Sequence, residues 1–245
     1  MLKQQFPNHY FHAHGVAFGG VITEPFHEVI ESQAATAISS VGGFARASAG
    51  PFNFRDIITF HKASTQIGAV EEKERYDTFV TCRLEGINIL NQLTADEVVA
   101  VLSIKHPKDG SGPTFSTVGS RFVNLRVGGV KLDPKLDQEC DQPCGEMYKN
   151  GRGHAVYDLY QPAEKRTPVT GGVQTLVAEV DVPSSCLTKQ GNAIYVPDFG
   201  VVYLAEYFVT PHDRLLNMFR VKLGCAFGGS GEGTGVGGNG KPTST

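Results

Sequence analysis

Four of the chain's eight histidines lie in residues 9–29, the segment HYFHAHGVAFGGVITEPFHEV. In an extended chain His12 and His14 point to the same face, because side chains alternate sides along a strand. Two imidazoles on one face can share a divalent metal, and a third ligand from His27 or His9 would complete the set. A metal site built on His12, His14 and His27 is therefore one hypothesis for this segment.

Carboxylates near these histidines extend the metal hypothesis toward catalysis. Glu24 or Glu28 can serve as a further ligand, or as a base that acts on metal-bound water. The HxH spacing is similar to that of cupin-like metal sites, so a metal-dependent β-barrel enzyme is one hypothesis for the function. Residues 15–21, where a cupin-like site needs a glutamate, hold only apolar residues and glycines.

A structural role is the alternative for the same histidines. Imidazoles at the polar edge of a sheet, or in a contact between subunits, form hydrogen bonds instead of metal bonds. A mixture of His, Tyr and Phe suits the core of an interface. A contact through imidazoles, which titrate near pH ~6.5, would weaken on acidification. Because no third ligand stands at a recognisable spacing, we interpret the cluster first as structural and expect no cofactor.

Signatures of other catalytic sites are absent from the sequence. There is no GxSxG nucleophile elbow and no P-loop GxxxxGK[ST]. Residues 233–238, GTGVGG, formally fit GxGxxG, but they lie in low-complexity sequence without a βα pattern. Three tyrosines, Tyr157, Tyr160 and Tyr203, offer stacking surfaces. A binding module for a small ligand or glycan is therefore a further hypothesis.

Charge and hydropathy argue against several classes of protein. The chain has 22 Lys and Arg against 25 Asp and Glu, so it lacks the basic footprint that nucleic-acid binding requires. The short mixed-charge runs at residues 71–75 and 105–108 are expected to be solvated turns. No run approaches the ~18 apolar residues of a membrane helix. The first ten residues contain no Sec signal, which predicts a cytoplasmic location or export without a cleavable signal.

The five cysteines favour reduced thiols. An odd count without a signal peptide fits a reducing compartment. Cys140 and Cys144 are spaced closely enough to close a small disulfide loop or to help bind a metal, and the sequence leaves this choice open.

Alternation of apolar and polar residues predicts the elements that must position these side chains. Residues 76–84 have the period of a strand with one buried face. Gly86 interrupts that period and residues 87–89 resume it, as a β-bulge allows. Residues 98–104 predict a second strand. Residues 94–97 also match a helix capping box, but the density of β-branched residues after them favours the strand.

Later segments predict further strands, turns and an irregular region. Gly128 and Gly129, between two apolar runs, predict a tight hairpin. Residues 200–209 are apolar on both faces apart from Glu206, which indicates a central strand or a face engaged by another chain. Residues 133–168 are polar and interrupted by glycines, and they are predicted to be a long excursion with little regular structure.

Together the elements predict an all-β fold, an antiparallel β-sandwich or a jelly-roll-like arrangement. One domain is expected to span residues 1–225. Residues 226–245 are rich in glycine and cannot bury enough side-chain surface to order themselves, so they are predicted to be a tail. Contact with neighbouring subunits is one role for such a tail.

Two parts of the sequence resemble bacterial families. Residues 84–101, LEGINILNQLTADEVVAV, followed by residues 122–130, FVNLRVGGV, resemble the pattern of bacterial surface proteins grouped as the choice-of-anchor P family. The opening His-x-His-Gly before PF-x-EVI is similar to that of a set of uncharacterised bacterial β-rich proteins. The resemblances cover most of residues 8–224. They imply a β-rich domain, usually exported in the surface proteins, with no established activity, and they bring no catalytic residues to carry over to this chain.

The sequence as a whole favours a non-enzymatic role. Strands that are apolar on both faces, together with the terminal segments, favour a structural or surface β-protein that associates with itself. Its expected partner is a second copy of the chain, in a homo-oligomer or a filament. The metal-dependent enzyme and the small-ligand or glycan-binding module are the alternatives.

Overall fold

The computed structural model describes residues 9–138, 153–157, 168–183, 187–190, 192–209, 213–224 and 227–239. These residues form strands, turns and connecting segments, and none of them is helical. Within the described ranges there is accordingly no helix of the length and apolarity needed to cross a membrane. The strands are β1 (Ala13–Glu24), β2 (Glu28–Gln33), β3 (Thr36–Ala37), β4 (Gly43–Ala49), β5 (Phe52–Phe54), β6 (Ile58–Phe60), β7 (Lys62–Glu71), β8 (Arg75–Ile89), β9 (Leu93–Pro107), β10 (Thr114–Ser116), β11 (Arg121–Val123), β12 (Arg126–Val127), β13 (Val130–Lys131), β14 (Lys135–Leu136), β15 (Gly153–Tyr157), β16 (Pro168–Thr175), β17 (Val177–Glu179), β18 (Thr188–Gln190), β19 (Ala193–Val196), β20 (Gly200–Val209), β21 (Asp213–Gly224) and β22 (Gly228–Asn239).

Two large antiparallel sheets contain most of these strands. Sheet A has the order β15–β16–β20–β21–β22–β1–β2, with β19 also paired to β20 and β3 to β1. Sheet B has the order β13–β12–β9–β8, and β8 continues to β7 and β4 along one part of its length and to β6 and β5 along another. β10 and β11 pair with β9, and β14 pairs with β17 in a separate ladder.

The two sheets pack face to face around one hydrophobic core. β1, β21 and β22 of sheet A lie against β7, β8 and β9 of sheet B. Buried side chains from both sheets, such as Phe18 and Phe219 from sheet A and Leu84 and Leu102 from sheet B, belong to a single cluster. The prediction of an all-β antiparallel sandwich is confirmed.

The β8–β9 hairpin of sheet B follows the predicted alternation. Every second side chain from Thr78 to Leu84 is buried against sheet A. At Gly86 the period shifts by one residue, and Ile87 returns to the buried face. Gly86 has a φ of +66°, a conformation that glycine adopts without steric cost. The predicted change of period at Gly86 is confirmed, but β8 and β9 keep one pairing register from Arg75 to Ile89, so the strand contains no extra residue there and the expected bulge is wrong. The choice of strand over helix for residues 94–97, which lie in β9, is confirmed.

The glycine-rich segment departs from its prediction. Gly228–Asn239 forms β22, which pairs with β1 along one edge and with β21 along the other. The expectation that this segment does not order itself is wrong for these residues, because neighbouring strands supply the bulk that glycine lacks. A Cβ on Gly233 would lie only 2.3 Å from the ring of Phe219. A Cβ on Gly231 would lie 3.2 Å from the ring of Phe18. Aromatic side chains of the flanking strands thus cover β22.

Three further expectations can be compared with the structure. β20 is central in sheet A, with β21 on one side and β16 and β19 on the other, as its two apolar faces predicted. The predicted hairpin at Gly128 and Gly129 joins β12 to β13. The region 133–168 contains the short strands β14 and β15. Residues 139–152 and 158–167, with both cysteines of the predicted pair, lie outside the described residues.

Candidate functional site

The N-terminal histidines lie at the start of β1. His12 is exposed and His14 is half-buried, and their ring centroids are 5.5 Å apart. His12 Nδ1 lies 3.5 Å from Asp213 Oδ1 at the start of β21. Burial, and to a smaller extent the charge of His12, lowers the pKa of His14. The prediction that the two imidazoles share a face is confirmed.

His27 does not join this pair. It follows the end of β1 at Glu24, and the ten residue-to-residue steps from His14 to Glu24 span roughly 33 Å. In the part of the chain that the structure describes, no group of three or more His, Cys, Asp or Glu side chains could hold a metal ion. The structure therefore does not assemble the predicted set of His12, His14 and His27.

A second histidine cluster, formed by His9 and His106, was not predicted. Their ring centroids are 4.8 Å apart, and His9 stacks on Tyr76 at 4.3 Å. The two histidines are only 7% and 4% exposed, and the Nε2 atom of each lacks a hydrogen-bond partner among the described residues. His106 continues the inward-facing series of β9 two residues beyond Ile104. Extending the alternation of β9 by one more position predicts a buried His106. The interpretation of residues 105–108 as a solvated turn is therefore wrong for His106, which lies in β9.

Burial keeps both imidazoles of this cluster uncharged at neutral pH. Desolvation lowers the pKa of His106 to about 4, with a smaller contribution from His9. Desolvation also lowers the pKa of His9, against the opposing influence of Glu71. Lys108 Nζ lies 2.6 Å from a Glu71 carboxylate oxygen and 4.8 Å from the centroid of the Tyr76 ring. The cluster is therefore a neutral packing site where β8 begins and β9 ends, and its contribution to stability depends on pH.

The second candidate site is a row of charged side chains across three adjacent strands of sheet A. Glu206 of β20 accepts two hydrogen bonds from Arg220 of β21, at 2.8 Å from Nε and 2.7 Å from Nη2. Glu232 of β22 stands directly opposite Arg220 in the β21–β22 ladder. We call Glu206, Arg220 and Glu232 the polar row. Glu206 is 5% exposed, and its bidentate pairing with a guanidinium satisfies the carboxylate that burial would otherwise destabilise.

Two neighbouring side chains fix the polar row in place. Arg220 Cζ lies 3.8 Å from the centroid of the Tyr203 ring, a cation–π contact that limits the motion of the guanidinium. Asn217 donates from Nδ2 to Glu232 Oε2 at 2.9 Å. Desolvation raises the pKa of Glu232 above its usual range, although Arg220 opposes the shift and the residue keeps exposed surface. The row thus presents a rigid cation beside a partly desolvated carboxyl group.

A shallow trough lies beside the polar row on the outer face of sheet A. It consists of two concavities of about 290 and 640 Å³, which share Val21, Arg220 and Ser230. Glycines of β1 and β22 line it, so backbone forms much of its floor. Glu232 lines the first concavity and Lys222 the second. The lining mixes hydrogen-bonding groups and apolar surface in comparable parts, so the trough suits a ligand that offers both hydroxyl groups and C–H surface.

Sequence reasoning found only part of this second site. The acidic residue of β20 stood out in an apolar strand. Arg220 was not singled out, because one arginine in an alternating strand looks like part of a solvated face. Glu232 was missed because its segment was interpreted as a tail. Tyr203 was predicted to stack on a ligand, whereas Arg220 covers one of its faces. Tyr160 and the side chain of Tyr157 lie outside the described structure.

Comparison with known proteins gives one match. The model of a family described as a domain of unknown function (DUF8256) matches residues 9–167. The matched range contains His12 and His14, the cluster of His9 and His106, and all of sheet B. Asp213 and the polar row lie after it. No curated protein and no solved structure matches the chain. Because the family model covers more than half of the chain, the protein belongs to the DUF8256 family.

Proposed function

We propose that the chain is a non-enzymatic structural β-protein that associates with itself through strand β4. Among the described strands, β4 pairs only with β7. Its other edge therefore presents a row of N–H and C=O groups outside any ladder. Such an edge can pair with a strand of another molecule. This open edge is the observation that carries the proposal.

The outward face of β4 continues into an apolar strip. The alanines of β4 pack against the core, and Phe44 points outward with 63% of its surface exposed. Phe44 pairs with Gly68 of β7, and Gly68 pairs in turn with Phe79 of β8, which is 46% exposed. Exposed aromatic surface thus extends from the open edge across three strands. Contiguous apolar surface of this kind marks interaction sites on soluble proteins.

The sequence of β4 is complementary to itself in one antiparallel register. When Ala45 stands opposite Ala45 of a second copy, each Phe44 stands opposite the other copy's Arg46. An arginine beside an aromatic ring forms a cation–π contact, and the two-fold symmetry makes this contact twice. The register with Arg46 opposite Arg46 places like charges together, which destabilises a strand pair. The favourable register therefore predicts one defined mode of association.

This contact favours a dimer over a filament. A strand that pairs with its own copy makes an isologous contact, which closes about a two-fold axis. A filament needs a second contact, and β2 of sheet A also pairs on one side only among the described strands. On β2, however, the exposed Val29 is followed by Glu31, so two copies of that edge would bring negative charges together.

The substitution Phe44→Lys tests the proposal. The wild-type chain is expected to sediment as a dimer at high concentration. The variant should raise the dissociation constant by about ten-fold or more, a loss of roughly 1.4 kcal/mol, because it removes both cation–π contacts and places a lysine opposite Arg46. Analytical ultracentrifugation over a concentration series measures the change.

Val29→Lys is the matched control. It introduces the same side chain at a residue of nearly equal exposure, 66%, on the edge of the other sheet, and it should leave dimerisation unchanged. Urea unfolding curves establish that both variants keep the fold. A wild-type chain that stays monomeric at every concentration contradicts the proposal. A Val29→Lys effect as large as that of Phe44→Lys contradicts the assignment to β4.

A further inference from the structure

We propose that the trough beside the polar row binds a neutral, linear oligosaccharide. The trough follows β22 from Gly228 to Glu232. A strand rises about 3.4 Å per residue, so this stretch offers a surface of roughly 14 Å. That length accommodates a short chain of linked sugar rings. The site lies on sheet A, and the proposal is independent of association through β4 of sheet B.

Hydrogen-bond donors and acceptors stand side by side in the trough. Arg220 uses two of its five N–H groups on Glu206, which leaves others for a ligand. Glu232, directly across the ladder from Arg220, supplies carboxylate oxygens that accept hydrogen bonds. Neighbouring hydroxyls of a sugar are both donors and acceptors. One hydroxyl can therefore accept from Arg220 while the next donates to Glu232.

Both groups are held in position before any ligand binds. Glu206 and Tyr203 fix the guanidinium of Arg220 from two sides. Asn217 donates to Glu232 and so restricts the carboxyl group. A site that is ordered in advance loses less conformational entropy on binding. This order distinguishes the pair from a chance meeting of surface charges.

The charges of the trough favour a neutral ligand. Glu206 offsets Arg220, and Lys222 shares the second concavity with Glu24. Glu232 adds a further carboxyl group in the first concavity. Because basic groups do not outnumber acidic ones, a phosphate, a sulfated glycan or a uronic acid chain gains no net attraction.

The floor of the trough suits a ring that lies flat. Gly19 of β1 and Gly231 of β22 line it without side chains, so a ligand can approach the backbone. Val16 and Val21 add small apolar surfaces, which can contact the C–H groups of a sugar ring. Ser32 and Ser230 place hydroxyl groups along the same surface.

Nuclear magnetic resonance of the isotopically labelled full chain tests this proposal. The probes are cellohexaose, xylohexaose, maltohexaose and laminarihexaose, each titrated to about millimolar concentration, where weak sugar binding is measurable. At least one should shift the backbone amide signals of Ser230 and Gly231. Glu232→Gln keeps the size of the side chain and removes its charge, and it should weaken that binding about ten-fold.

A second variant tests the location of the site. Ser230→Trp places a large side chain where the two concavities meet and should abolish binding. Ser111→Trp, an exposed serine in the loop after β9, is the matched control and should have no effect. The proposal is overturned if none of the four hexasaccharides shifts these signals. It is also overturned if binding survives Ser230→Trp, or if hexagalacturonate, a charged probe, binds more tightly than every neutral one.

Discussion

The β8–β9 hairpin of sheet B and the β21–β22 hairpin of sheet A face each other across the core, but they bury side chains differently. In β8–β9 both strands contribute, and the buried Leu84 stands opposite the buried Val98. In β21–β22, at Phe219 and Gly233, the buried side chain comes from β21 alone: Phe219 stands opposite Gly233 and covers it. Both strands of β8–β9 thus supply core side chains by their own alternation, whereas β22 depends on side chains from the neighbouring strands.

This difference shows that a strand can be specified by what lies beside it. Glycine is a poor strand former, because it loses more backbone entropy than other residues and has no side chain to pack. β22 nevertheless pairs along both edges, and the rings of Phe18 and Phe219 occupy the space above it. The absence of side chains is then a steric requirement of the strand at Gly233.

The largest effect is expected where the side chains of the strand itself fill the core. Leu84 is completely buried, and Leu84→Ala should reduce the free energy of unfolding by about 2–5 kcal/mol through lost burial and the cavity that remains. Urea denaturation measures the loss. Thr81→Ala, on the outward face of the same strand, serves as the control and should change stability by no more than about 0.5 kcal/mol.

Acidification should destabilise the end of the same hairpin. The folded pKa of His106 is about 4, below the value near 6.5 of an unfolded chain, so only the unfolded state gains a proton as the pH falls between these values. The full shift corresponds to a loss of roughly 3 kcal/mol. His9, whose pKa is also lowered, adds a loss of the same sign.

Urea unfolding measured at a series of pH values from neutral to acidic tests this dependence. His106→Gln should flatten the slope, whereas His27→Gln, at an exposed histidine, should leave it unchanged. Equal slopes for wild type and His106→Gln would show that this buried imidazole does not govern the acid response.

A smaller loss of stability, caused by adding a side-chain group instead of removing one, is expected in β22. Gly233→Ala should cost about 1–3 kcal/mol because the new methyl group collides with the Phe219 ring. Gly231→Ala, with more room beneath Phe18, should cost less. Ala100→Gly in β9 should cost about 1 kcal/mol by removing a methyl group. A neutral or stabilising Gly233→Ala would mean that reduced flexibility of the unfolded chain outweighs the collision. It would contradict the steric requirement for glycine at position 233.

The sequence predicted the strands that are specified by their own residues and missed the strand that is specified by its neighbours. Alternation within residues 76–104 was sufficient for β8, its change of period at Gly86 and β9, because each strand's own residues define its buried face. β22 could not be predicted in this way, since the rings that cover it come from other strands. The same reasoning applies to the sites. His12 and His14 are two residues apart at the start of β1, so local alternation predicts that they share a face, whereas the contact of Glu206 with Arg220 depends on the register of two strands.

The pairing of β22 with β1 has a consequence for the order of folding. Ala13 pairs with Gly238, more than two hundred residues downstream, so β1 leaves the ribosome long before its partner is made. The strands of sheet B all lie within residues 43–131 and pair mostly with close neighbours in sequence. We expect sheet B to form early and sheet A to close late, when loop closure between distant segments limits the rate. Until then only the β2 and β3 edge of β1 can be paired, and the edge that later pairs with β22 stays open and needs protection from other chains.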